Sequence, residues 1–90
     1  MSPRVPTDGE ILNLIRDAVR DVVGDADEPS RRATLDALTL DMDIDDIGLD
    51  SVMSMEVVGY IEEQLDREFP DDRLARIKTL GDLAALIREG

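Results

Sequence analysis

Gly48-Leu49-Asp50-Ser51-Val52-Met53-Ser54-Met55-Glu56-Val57-Val58-Gly59-Tyr60-Ile61-Glu62-Glu63-Gln64-Leu65 is the stretch on which the fold turns, because its apolar residues recur with the period of a helix. At about 100° per residue, Val57, Val58, Ile61 and Leu65 gather on one side, while Val52, Met53, Glu56, Gly59, Tyr60 and Glu63 gather on another. The spacing predicts a helix from Ser51 to about Arg67 with the first set facing a core. The second set, with Met55 and Glu62 beside it, mixes carboxylates with apolar side chains. Methionine adapts its shape and tyrosine is amphipathic, so this face suits a changing partner, with the glutamates giving orientation. The structural alternative is that the preceding connection folds over Val52 or Tyr60. Gly59 costs about 1 kcal/mol relative to alanine inside a helix; it reads either as room for close approach or as a tolerated imperfection.

Working outward, Thr7-Asp8-Gly9-Glu10 has the form of a capping box. Ile11, Leu12, Ile15, Ala18, Val19, Val22 and Val23 follow at helical spacing, predicting a first helix over about 8 to 23, with Gly24 as a left-handed stop. Residues 25–50 form a long connection whose apolar content (Leu35, Leu38, Leu40, Met42, Ile44, Ile47, Leu49) is too high for a disordered linker. It is expected to pack on the core, with a helical turn after Pro29. Strand-like alternation over Leu40, Met42 and Ile44 is conceivable, although a lone strand without a partner is unstable. Pro70-Asp71-Asp72 opens a short third helix through Leu74 and Ala75, and Thr79 caps a fourth carrying Leu80, Leu83, Ala84, Leu86 and Ile87. The expected architecture is all-α, a four-helix bundle with a long first connection and a short third helix. Residues 1–90 read as one domain with a flexible N-terminus at 1–6. The start at Met1 and the capped first helix favour a free-standing protein.

Composition removes several kinds of chemistry. The 90 residues include neither cysteine nor histidine, and Tyr60 and Phe69 are the only aromatics. Disulfides, thiol catalysis and thiolate metal sites are excluded, and a typical zinc site is disfavoured. Without histidine there is no Ser-His-Asp set, so Ser51 reads as an attachment point on which another enzyme acts. An autonomous enzyme is disfavoured, since the remaining acids and bases are solvated carboxylates and no phosphate-cradling glycine loop is evident.

The net charge of -12 is unevenly placed: residues 1–40 carry -3, residues 41–72 carry -11 with Arg67 as their sole base, and residues 73–90 carry +2. Such a field repels nucleic acid and anionic membranes and steers basic protein surfaces toward the segment around Ser51. The bland alternative is a solvated acidic surface that keeps a small protein soluble. Asp41, Asp43 and Asp45 imitate the start of a calcium loop, but Asp46 stands where that loop needs glycine and Val52 where it needs glutamate. No apolar run approaches the roughly 18 residues of a membrane span, and Met1-Ser2-Pro3-Arg4 lacks a secretory apolar stretch. A soluble, cytoplasmic, monomeric protein is expected.

Gly48-Leu49-Asp50-Ser51-Val52, then Glu56 and Glu62-Glu63, then Phe69, Ile77, Thr79-Leu80 and Asp82-Leu83 together resemble the acyl and peptidyl carrier protein family over nearly the whole chain. The resemblance implies that Ser51 carries 4'-phosphopantetheine, transferred from coenzyme A by a separate, magnesium-dependent phosphopantetheinyl transferase. The terminal thiol of that arm would hold acyl or aminoacyl groups as thioesters. Asp50 would help orient the transferase or its metal. Val52, Met53, Met55, Glu56, Gly59, Tyr60, Glu62 and Glu63 would meet basic docking surfaces on acyl-loading, condensing or tailoring enzymes. Val52 stands where leucine is more usual and Met53 where many fatty-acid carriers place an acid, so partner identity departs from the common pattern; Met53 is expected to make apolar contact with a cognate enzyme. These departures, the long acidic connection and the excess of arginine over lysine expected of a GC-rich bacterial genome favour specialised polyketide or nonribosomal-peptide biosynthesis. A carrier of primary fatty-acid synthesis is the alternative, and an unmodified helical interaction module is a reading of a different class. An aliphatic bundle could also open between helices to shelter cargo.

Overall fold

A computed structural model describes residues 6–24 and 28–89. The expectation for residues 1–6 therefore falls, except for Pro6, outside the described residues. Helix α1 (Asp8–Val22) starts from the expected capping box, in which the Glu10 N–H donates to the Thr7 hydroxyl at 3.2 Å and the Thr7 N–H donates to Glu10 Oε1 at 3.1 Å. Its end differs from expectation. Gly24 does not take a left-handed conformation; Val23 leaves the helix extended and is buried, so burial of that side chain fixes the exit.

The connection contains more helix than one turn. Pro29 opens α2 (Pro29–Asp36), and a fixed φ with no N–H is well suited to a first helical position. Leu35 of α2 and Leu38 just beyond it enter the core. The Arg16 guanidinium of α1 donates to the Leu35 carbonyl at 2.9 Å, tying α2 back to α1. Four expected helices thus become five among the described residues, within the same all-α architecture.

Past α2 the period-two pattern does find a partner. Leu40, Met42 and Ile44 are half-buried against the core while Asp41, Asp43 and Asp45 face solvent. Their backbone pairs with the start of the last helix: Ile44 N–H donates to Lys78 at 2.9 Å, Leu80 N–H to Met42 at 2.9 Å and Gly81 N–H to Leu40 at 2.7 Å. The two segments meet in an isolated antiparallel bridge between Asp43 and Thr79. Gly81 allows this contact, since a Cβ there would lie 3.0 Å from the Leu40 carbonyl oxygen.

A short 3-10 helix (Ile44–Ile47) leads to α3 (Ser51–Leu65). Helix α3 stops two residues earlier than the sequence predicts because Asp66 turns left-handed (φ 53°), a conformation aspartate tolerates better than most side chains. The turn sends Arg67 back across the bundle. Its guanidinium donates to the carbonyls of Ile87 at 2.7 Å and Leu86 at 3.1 Å and lies 5.1 Å from the centre of the Phe69 ring. Pro70 begins α4 (Asp71–Leu74), and Thr79 caps α5 (Leu80–Arg88) in a second capping box with Asp82.

The core is aliphatic apart from Phe69, with Ile11, Ile15, Val19, Leu35, Ile61 and Leu80 its largest fully enclosed side chains. Each contributes about 1.5–3 kcal/mol by leaving water. Helix α1 lies mainly along α3 and also meets α5. No polar or charged residue is buried among the described residues, so the acidic excess lies on the outside. No helix among them is long and apolar enough to cross a membrane.

Candidate functional site

Ser51 owes its position to three successive local constraints. The 3-10 helix closes where the Gly48 N–H donates to the Asp45 carbonyl at 3.1 Å, with Gly48 at φ 82°, a left-handed value that glycine adopts without Cβ strain. From α2, the Arg31 guanidinium donates to the Ile47 carbonyl. Asp50 then caps α3: its Oδ1 accepts the Met53 N–H at 2.8 Å while its carbonyl accepts the Ser54 N–H at 2.9 Å. Ser51 is the first residue of the helix and is exposed. A helix start leaves its first amides without intrahelical acceptors, so an anion on Ser51 would gain about 0.3–1 kcal/mol from them and from the helix dipole.

The exposed face of α3 is formed by Val52, Met55, Glu56, Gly59 and Glu63. Val52 is 66% exposed and Met55 75%, so the connection does not fold over Val52. Tyr60 and Met53 are different: both are half-buried and pack against the core. Glu62 is half-buried, and its Oε2 accepts the Phe69 N–H at 2.7 Å, securing the turn after α3. Asp41, Asp43 and Asp45 are exposed, and no group of acids suited to holding a metal occurs among the described residues.

Helix α3 also forms one wall of a cleft. Ser51, Ser54, Met55, Val58 and Glu62 follow the i, i+3, i+4, i+7, i+11 pattern that puts side chains on one helix face. The last four line a cleft of about 310 Å³, bounded on the other side by Ile44, Asp71, Leu74, Ile77 and Leu83. The stripe on α3 was available in the sequence. Its opposing wall was not, since it is drawn from three separate segments.

The exposed Ser51 thus stands at the start of α3, in line with a cleft on the same helix face of a small all-α domain. The chain belongs to the family described as "Phosphopantetheine attachment site", whose model matches residues 13–87. Among curated proteins it is similar to the acyl carrier protein of Phenylobacterium zucineum, 46% identical over 46 residues, which cover 51% of this chain and 58% of that protein. It matches the acyl carrier protein of Caulobacter vibrioides at the same identity, over 59% of that protein. A longer match, 28% identical over 78 residues, links it to the acyl carrier protein of Clostridium acetobutylicum, covering 83% of this chain and 94% of that one. The chain spans somewhat over half the length of the first of these relatives. No solved structure matches.

Membership brings a covalent 4'-phosphopantetheine. The residues present fit that group. Ser51 is open to solvent, the start of α3 suits a phosphodiester, and the arm supplies the thiol that a chain without cysteine lacks.

Proposed function

We propose that Ser51 is the attachment residue and that the protein carries acyl or aminoacyl intermediates as thioesters on the phosphopantetheine arm. The observation that carries this reading is the exposed Ser51 at the first turn of a capped α3, inside the matched region. A phosphopantetheinyl transferase would install the arm. The enzymes that load, condense or tailor the cargo would then dock basic surfaces on Val52, Met55, Glu56, Gly59 and Glu63. Tethering supports such a role because it raises the effective concentration of cargo at whichever enzyme has docked. Exposed Val52 and Met55 favour partners that add apolar contact to charge pairing, in keeping with a free-standing carrier of bacterial polyketide or nonribosomal-peptide biosynthesis; primary fatty-acid synthesis is the alternative. The carrier is read as one monomeric domain working in the cytoplasm.

The test is intact-protein mass spectrometry after incubation with coenzyme A, magnesium and a broad-specificity transferase, beside a Ser51→Ala control. Gain of one phosphopantetheine by the wild type alone is expected. No gain in folded protein with several transferases would favour an unmodified interaction module.

The cleft supports a second element, shelter of the cargo between α3, α4 and α5. Methyl resonances of Val58, Leu74 and Ile77 should move when acyl-loaded protein replaces protein bearing the unloaded arm. Unchanged shifts would show that the cargo stays outside.

A further inference from the structure

We propose that Arg31 is a positioning residue for Ser51, holding the turn through which the chain enters α3. The inference rests on Ser51 being the attachment residue. Residues 41–72 carry twelve acids and a single base, Arg67. That base is committed elsewhere, to the Leu86 and Ile87 carbonyls. The cation that secures the loop before Ser51 comes instead from α2: Arg31 reaches sixteen residues along the chain to the Ile47 carbonyl. Its guanidinium lies directly against the turn, since a Cβ on Gly48 would be 3.4 Å from Nη1. Ile47 is buried, and Gly48 has the left-handed φ that redirects the chain. Two residues later Asp50 caps the helix, so the bond to the Ile47 carbonyl and the half-buried Leu49 side chain are what tie the chain to the body of the protein just before that cap. A charge-assisted bond at this point is stronger than a neutral one and fixes direction as well as position. Helix α2 thereby acquires a purpose beyond filling the connection, as the mount for this guanidinium.

Releasing the turn would leave a smaller fraction of molecules presenting Ser51 correctly. The apparent affinity of the transferase falls by that fraction, while turnover of the correctly bound complex is preserved. Transfer from coenzyme A is measured with carrier concentration varied. For Arg31→Ala the expected result is a rise of roughly tenfold in KM with kcat nearly unchanged, and Arg31→Lys, which retains a cationic donor, recovers most of it. Arg67→Ala is the control, because it also removes guanidinium–carbonyl bonds but at the far end of α3; its KM should equal that of the wild type. Backbone amide shifts of Gly48 to Ser51 should move in Arg31→Ala and stay in Arg67→Ala.

Equal KM values for wild type and folded Arg31→Ala would overturn the proposal, as would an equal rise in both alanine variants. If Arg31→Ala does not fold, Arg31→Lys and Arg31→Gln carry the test, and wild-type KM and amide shifts in both would overturn it. Failure of the wild type to accept the group would refute the attachment reading instead, and the amide shifts would still decide the role of Arg31.

Discussion

Adding one methyl group at Gly59 separates the stability of α3 from its use. Gly59 lies inside the helix on the exposed face, its φ is not positive, and a Cβ built there meets nothing within 4 Å. The gain from Gly59→Ala therefore comes from backbone entropy, about 0.5–1 kcal/mol in a helix interior. For a domain of this size, 1 kcal/mol shifts Tm by about 4–8 °C, so the variant should melt about 2–8 °C higher by circular dichroism. Lower Tm with intact cooperativity would refute the reasoning, because it would require a contact at this position that the structure lacks. Phosphopantetheine transfer and acyl loading, assayed on the same variant, give the second readout. Slower handling of a more stable carrier would show that the bare backbone at Gly59 lets a partner approach closely; unchanged handling would make the glycine a tolerated imperfection.

The same substitution should have the opposite sign at Gly81, where a Cβ would lie 3.0 Å from the Leu40 carbonyl oxygen. Overpacking of this kind costs about 1–3 kcal/mol, so Gly81→Ala should lower Tm; a rise would show that the loop yields freely. Arg67→Ala should destabilise by about 2–3 kcal/mol, since hydrogen bonds to charged groups are worth about 1.5–3 kcal/mol, and Arg67→Lys by less; urea unfolding measures both, and wild-type stability for Arg67→Ala would refute the bridge to α5. Asp82 accepts the N–H groups of Lys78 at 3.0 Å and Thr79 at 3.1 Å, which hold its carboxyl below the ordinary aspartate value. Its stabilisation is therefore complete above the unfolded-state value of about 3.9 and is lost as pH falls through the lower folded value. Asp82→Asn should flatten the acid limb of the Tm–pH profile; an unchanged limb would assign that loss of stability to other groups.

The helices that rest on local signals were legible from residues alone. Thr7 with Glu10 and the cap Thr79 mark starts that the structure reproduces, the expected start of a helix at Ser51 is found, and the 3.6 period picks out Ile11, Ile15, Val57, Ile61, Leu83 and Ile87 as core. What was illegible depends on distant partners. The length of α2 is supported by Leu35 packing in the core and by Arg16 reaching its carbonyl. The alternation over Leu40, Met42 and Ile44 needed a partner strand, and the partner is the cap of α5, some 40 residues away. Gly24 misled because burial of Val23, not a glycine conformation, ends α1. At the candidate site periodicity gathered Val52, Glu56, Gly59 and Glu63 on the side that is exposed, but it also gathered Met53 and Tyr60 there, which pack against the core. The bond from Glu62 to Phe69 arises from a turn at Asp66 that periodicity does not encode.

Helix α3 is anchored unevenly: Val57 and Ile61 are its fully buried side chains, and none precedes Val57. Its leading six residues are held by the Asp50 cap and by partial burial, so this segment can open locally at a smaller free energy than the whole domain. A load on Ser51 is borne by a short lever whose fulcrum is Val57. Force applied at the start of the helix can thus move it over the cleft while the interior stays packed, and amide hydrogens in the turn that holds Val57 and Ile61 will exchange more slowly than those in the turn at Ser51.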